Sequence, residues 1–139
     1  MMLVCDGSEI SMLTCALLIS GKDGAFEVRA SAVLPRVLGD ELAVVQLFLA
    51  DAGVEHALLS SIGLVCTGSS AGALRSTVSM LNAFAIARGI PVCAVQRIGV
   101  DTWVGTLADP YVPYVFPIYE KSAHVTPSRK DALGREVTV

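Results

Sequence analysis

Gly63-Leu-Val-Cys-Thr-Gly-Ser-Ser-Ala-Gly-Ala-Leu-Arg75 opens the stretch that decides the fold, and Ala87-Arg-Gly-Ile-Pro-Val-Cys-Ala-Val95 closes it. Leu64 to Cys66 is an apolar run of strand length. Thr67, Gly68, Ser69 and Ser70 break it. Their hydroxyls are N-cap candidates, and Gly68 and Gly72 tolerate backbone angles that other residues avoid. From Ala71 the pattern turns helical. Leu74, Val78, Leu81 and Ala85 recur at threes and fours on one face, with Thr77, Met80 and Phe84 beside them. Gly89 is placed to stop the helix, and Pro91 forbids its continuation. Val92 to Val95 is again strand-like. Strand, helix, strand predicts two parallel strands joined by a right-handed crossover.

Toward the N-terminus, Met2 to Cys5 is a short apolar strand and Asp6-Gly7-Ser8 a turn. Ser11 to Ser20 reads as a second strand, and Gly21-Lys22-Asp23-Gly24 as a hairpin turn. In a third strand, Ala25 to Val33, the apolar residues Phe26, Val28, Ala30 and Ala32 alternate with Glu27, Arg29 and Ser31. That alternation marks a strand with one wet face near a sheet edge. Leu34-Pro35 begins a linker, and Gly39-Asp40 offers a turn and an N-cap. Glu41 to Ala52 is a helix ending at Gly53. Leu42, Val45 and Leu49 share a face, Val44 and Phe48 extend it, and Leu47 lies elsewhere. A helix apolar nearly all round is either sandwiched within the domain or covered by another chain. The architecture expected is an α/β domain with a five-stranded mixed sheet and two main helices over residues 1–100. In residues 101–139, one more short element around Trp103, an extended arm or edge strand from Tyr111 to Tyr119, and a polar tail are expected.

A chain of 139 residues suits one domain with a real core. Hydrophobic residues make up 53% and charged ones only 17%. Such a balance points to a partner interface, to a sheet apolar on both faces, or to both. A net charge of −3 supplies no broad basic field for nucleic acid. No apolar run reaches membrane-spanning length. The N-terminus lacks the pattern of a signal peptide, so a cytoplasmic protein is expected. Cys5, Cys15, Cys66 and Cys93 form no Cys-x-x-Cys pair and fall in apolar runs, as buried thiols do in a reducing compartment. Neighbouring strands can bring two of them close. His56 and His124 are isolated, and no metal site is expected.

Gly68, Ser69, Gly72, Leu74 and Arg75, followed by Gly89-Ile90-Pro91, resemble the TsaB (YeaZ) family of bacterial tRNA threonylcarbamoyladenosine biosynthesis. That family carries Gly-Pro-Gly-Ser-Phe-Thr-Gly-Leu-Arg at the turn and an alanine-rich helix ending in Gly-Ile-Pro. Here the Pro and Phe-Thr are absent, and one extra residue sits between Gly72 and Leu74. Val4-Cys5-Asp6-Gly7-Ser8 stands where the family has apolar-Asp-Thr-Ser. The resemblance spans about the first hundred residues. It implies a ribonuclease-H-like domain of the actin/hexokinase/sugar-kinase superfamily, with residues 101–139 the remnant of a second domain. It further implies a non-catalytic scaffold without a cofactor that pairs with a TsaD-like catalytic subunit, alongside a TsaE-like ATPase, or with a second copy of itself. The tRNA is then met only indirectly.

The expected interface uses Leu42, Val45, Phe48, Leu49, Leu74, Val78, Met80, Leu81 and Phe84. Beside them lie the small residues Ala71, Gly72, Ala73, Ser76, Ser79, Ala83, Ala85 and Ala87, which let another helix come close. A vestigial phosphate site would use Asp6, Ser8, Gly68 and Ser69. An aspartate at a strand end can hold magnesium through water, but it can equally cap its own turn. The glycine loop opening a helix can present N–H groups to an anion, or it can serve tight packing alone. If the phosphate site is real, the chain is a small phosphotransferase or ATP-binding fragment of the same superfamily. Gly68-Ser69-Ser70-Ala71-Gly72 has the wrong spacing for a Gly-x-Ser-x-Gly nucleophile elbow.

Overall fold

The computed structural model describes residues 1–21, 26–37, 39–68, 70–98, 102–105 and 114–119. The expected Gly21–Gly24 turn falls mostly outside them, as do Ser69, His124 and the polar tail. At the centre of the sheet is β1 (Met2–Asp6). It pairs antiparallel with β2 (Met12–Ser20) and parallel with β4 (Ser61–Val65). Outside β2 lies β3 (Phe26–Pro35), antiparallel, and outside β4 lies β6 (Val92–Arg97), parallel. These are the five expected strands. A short β7 (Trp103–Gly105) adds a sixth on the far edge, antiparallel to β6, giving the order β3-β2-β1-β4-β6-β7.

Strand geometry sends alternate side chains to opposite faces. Leu3 and Cys5 of β1, with Leu13, Cys15 and Leu17 of β2, point to the face covered by α1 (Glu41–Asp51) and α2 (Ala71–Arg88). Met2, Val4, Ala16 and Leu18 join Val65, Cys93, Val95 and Trp103 in a second buried cluster. Much of the apolar excess is therefore used by strands that bury both faces. The edge strand β3 is the exception. Ala30, Ala32 and Leu34 lean on the core while Glu27, Arg29, Ser31 and Val33 are exposed. It also runs two residues past its expected end, through Pro35, which pairs with Met12. Proline is tolerated there because an edge strand needs no donor on its outer side.

The helix limits follow local chemistry. Gly89 adopts φ 65°, and the N–H of Ile90 reaches back to the Ala85 carbonyl at 3.1 Å, a left-handed stop that glycine permits. Gly53 ends α1 in the same region of backbone space (φ 64°). The N-caps differ from expectation. Neither Asp40 nor Ser70 makes a side-chain cap bond. At α1 the Glu41 carboxylate instead accepts the Gly39 N–H at 3.1 Å.

A two-residue strand β5 (Thr67–Gly68) precedes α2 and pairs in parallel with β8 (Ile118–Tyr119). Asn82 on α2 holds the same returning segment. Its amide donates to the Val115 carbonyl at 2.8 Å, and its oxygen accepts the Val115 N–H at 3.0 Å. Tyr114, Phe116, Ile118 and Tyr119 remain exposed on this strap.

Gly63 on β4 is required by packing rather than by backbone angle. A Cβ there would lie 2.7 Å from Val4 Cγ1 and 2.8 Å from Val95 Cγ1. Gly63→Ala is expected to destabilise the protein by about 1–3 kcal/mol. Urea denaturation reads this as a lowered midpoint, and an unchanged midpoint would refute the close packing of the three central strands.

Candidate functional site

Much of the two-helix face expected to meet a partner is used by the chain's own core. Val45, Phe48 and Leu49 of α1 and Leu74, Val78 and Leu81 of α2 are all buried in the chain's own core. Two of them, Val45 and Leu49, also reach the groove between the helices. Only Leu42, Met80 and Phe84 of the expected interface stay half-buried. The reason is that a helix seam packed on a sheet and a seam packed on another chain share one periodicity. Ala73 and Ala85 are also core residues, whereas Gly72, Ser79, Ala83 and Ala87 are exposed. The outer surface carries large apolar groups as well, Leu47 at 58% and Leu58 at 59% exposure. Between the helices is an open cavity of about 510 Å3. Its apolar lining includes Leu42, Val45, Leu49, Val54 and Phe84, and Gln46, Glu55, His56 and Arg88 add polar groups.

Beneath the helices lies a buried polar cluster that the sequence does not announce. Arg36 follows Pro35 in a linker, where a cation is ordinarily solvated. Here it is 9% exposed. Its Nη2 donates to the Gly7 carbonyl at 3.0 Å and to Thr77 Oγ1. Nε and Nη1 have no hydrogen-bond partner among the described residues. Burial lowers the Arg36 pKa, and the nearby carboxylates of Glu41 and Asp6 oppose that shift. Glu41 is buried too, accepting from Ser76 Oγ at 2.6 Å. These contacts clamp the β3–α1 linker onto α2. Gly7 belongs to the clamp, since a Cβ there would collide with Thr77 and Arg36.

At the carboxyl ends of β1, β4 and β6 the chain brings together Asp6, Ser8 and Gly68. Ser69, the fourth expected residue, lies outside the described residues. Asp6 Oδ1 accepts the Ser8 N–H at 3.0 Å, as a turn aspartate does. Its Oδ2 faces Arg97 Nη1 at 3.4 Å, and the same Nη1 donates to Thr14 Oγ1 at 3.1 Å. The Arg97 guanidinium lies 5.6 Å from the centre of the Trp103 ring. Gly68 and Gly72 were expected to use special angles, but neither has positive φ. Gly68 instead lets Ser8 approach, because a Cβ would sit 2.7 Å from Ser8 Cβ. Gly72 has open space around it. Asp6, Ser8, Val65, Thr67, Gln96, Arg97 and Ile98 enclose a mostly polar cavity of about 280 Å3. A divalent cation at Asp6 would have to displace Arg97. Among the described residues no three His, Cys, Asp or Glu side chains group as metal ligands.

The four cysteines are free and buried. Cys5 and Cys15 face each other across β1 and β2 with sulfurs 3.7 Å apart. Their hydrogen bond and burial hold the Cys5 thiol well above its ordinary pKa. Burial pushes Cys66 up to about 11, with Cys93 adding to the shift, and raises Cys93 as well.

Neither a protein-family model nor a curated protein matches the chain. Among solved structures it is similar to YeaZ from Pseudomonas aeruginosa, with a TM-score of 0.55 and 23% identity over 68% of this chain and 42% of that one. It is also similar to a structure described as an uncharacterized protein with similarity to peptidase YeaZ from Pseudomonas aeruginosa. There the TM-score is 0.52 and the identity 25%, again over 68% of this chain and 42% of the other. The likeness is one of fold, consistent with the ribonuclease-H-like α/β domain expected from the sequence. The chain spans less than half the length of either structure. No helix among the described residues is long and apolar enough to cross a membrane.

The raised thiols predict a pH dependence. The fold holds the neutral thiol, so its contribution is complete below the unfolded-chain value of about 8.5. It is lost as pH rises toward about 11, the folded value of Cys66. Urea midpoints measured from pH 8 to pH 11 should fall across that window. A matching loss in a variant with all four cysteines replaced by alanine or valine would refute the assignment.

Proposed function

We propose that the chain is a non-catalytic scaffold subunit that docks through its two-helix face onto a TsaD-like catalytic subunit. The complex would install the threonylcarbamoyl group on tRNA adenosine, with a TsaE-like ATPase as a further member. The tRNA would be held mainly by the catalytic subunit, because this chain carries a net charge of −3. A second copy of the chain is the alternative occupant of the same face when the catalytic subunit is absent. The fold shared with YeaZ supports the reading.

The observation that carries it is the apolar cavity between α1 and α2. A helix pair finished for life in water would bring polar groups to its outer seam. Here Leu42 and Phe84 line an open groove, while Leu47 and Leu58, close in sequence to its lining residues, stand in solvent. Exposed apolar surface of this kind marks a contact site, and the small exposed residues of α2 let a partner helix come near. The rival reading, an ATP-binding fragment of the sugar-kinase superfamily, needs Asp6 for a metal–phosphate group. Arg97 already faces that carboxylate.

Leu47→Glu tests the proposal with little risk to the fold, since an exposed substitution ordinarily shifts stability by about 0.5 kcal/mol or less. The wild-type protein should co-elute with a TsaD-like subunit from its own cells. The variant should bind at least about tenfold more weakly, as expected when a charge enters an apolar contact. Equal binding by both proteins, or no capture of a TsaD-like subunit by either, would refute the reading.

A further inference from the structure

We infer that the cavity at the carboxyl ends of β1, β4 and β6 is a binding site for a small zwitterion, a free α-amino acid. The site is separate from the helical face, and the inference does not depend on the scaffold reading.

Topology places the cavity first. From β1 the chain turns toward β2 and β3, whereas from β4 it passes through α2 to β6 on the opposite side. The connections leaving β1 and β4 thus part in opposite directions. In open α/β sheets the crevice outside the carboxyl ends of two such strands is where ligands collect. Asp6 and Ser8 come from the β1 side of that crevice, Val65 and Thr67 from the β4 side, and Gln96 and Arg97 from β6.

Charge then selects the ligand. Asp6 and Arg97 are opposite charges 3.4 Å apart, longer than a strong charge-assisted hydrogen bond. Both side chains keep some exposure, 12% for Asp6 and 20% for Arg97, so solvent reaches them. A lone cation would gain Asp6 but meet the Arg97 charge, and a lone anion would meet the reverse. A ligand with an ammonium and a carboxylate on one carbon can exchange the Asp6–Arg97 pair for two pairs of its own without adding net charge. Its ammonium would take Asp6 Oδ2, and its carboxylate the Arg97 guanidinium. Arg97 is steadied by Thr14 and lies near the Trp103 ring. The cavity of about 280 Å3 admits an amino acid but is small for a nucleotide. Thr67 and Gln96 supply hydroxyl and amide groups for a short polar side chain.

Isothermal titration of the whole chain with L-serine tests this, with N-acetyl-L-serine, L-serinamide and inorganic phosphate as comparisons. L-Serine should bind with a dissociation constant of about 0.1–1 mM. Either blocked derivative should bind at least about tenfold more weakly, since each removes one charge. Asp6→Asn and Arg97→Gln should each abolish binding. Thr67→Val, an exposed wall substitution that leaves the ion pair in place, should weaken it several-fold and decides the matter if the charge variants do not fold. No heat with L-serine up to about 20 mM overturns the proposal. So does equal binding of N-acetyl-L-serine or phosphate, which would make this a simple anion site.

Discussion

β1 has no wet face, and the rest of the molecule follows from that. Leu3, Val4 and Cys5 are each fully buried. A strand buried on both sides needs a partner along each edge and an apolar layer on each face. β2 and β4 supply the edges. Leu13 and Leu17 on β2, and Ile62 and Leu64 on β4, continue the helix-side layer, and α1 and α2 close over it. The same demand explains Gly63, where Val4 and Val95 already fill the space a side chain would use. It also explains why β1 ends in Asp6, the first residue in the strand with polar work to do.

Much of this architecture could be read from residue order. The span of α2 emerges correctly, from Ala71 to Arg88, because Gly89 and Pro91 are unambiguous local signals. The end of β3 does not, because Pro35 reads as a breaker until the strand is known to lie at an edge. The core seams of α1 and α2 are visible as periodicity. Periodicity alone does not say whether a seam faces a sheet or a neighbour, so it could not show that Val45, Leu74 and Leu81 pack in the chain's own core. Arg36 was the least legible residue. Its burial depends on Gly7 and Thr77, distant in sequence and joined to it only by the fold.

The strand-end cleft and the helical face divide the molecule's chemistry. Ionic groups gather at the first, where Asp6, Arg97 and Thr14 hold one another. Apolar groups gather at the second, where Leu42 and Phe84 border an open groove. Between them Arg36 joins Gly7, next to Asp6, to Thr77 on α2, and Glu41 on α1 accepts from Ser76 on α2. A buried charge cluster of this kind gives little net stability, and breaking one partner is costly because the remaining charge is stranded. It ties the spacing of the two regions to one set of contacts.

The join between β5 and β8 bears on how the chain is made. A ribosome delivers the polypeptide from its amino end, and five strands of the main sheet, β1, β2, β3, β4 and β6, are complete by Arg97. Asn82 waits for Val115, and Thr67 waits for Ile118. The central sheet can therefore assemble while the closing strap is still inside the exit tunnel. The loop that begins α2 is fastened last, by residues that leave the ribosome after those of the central sheet.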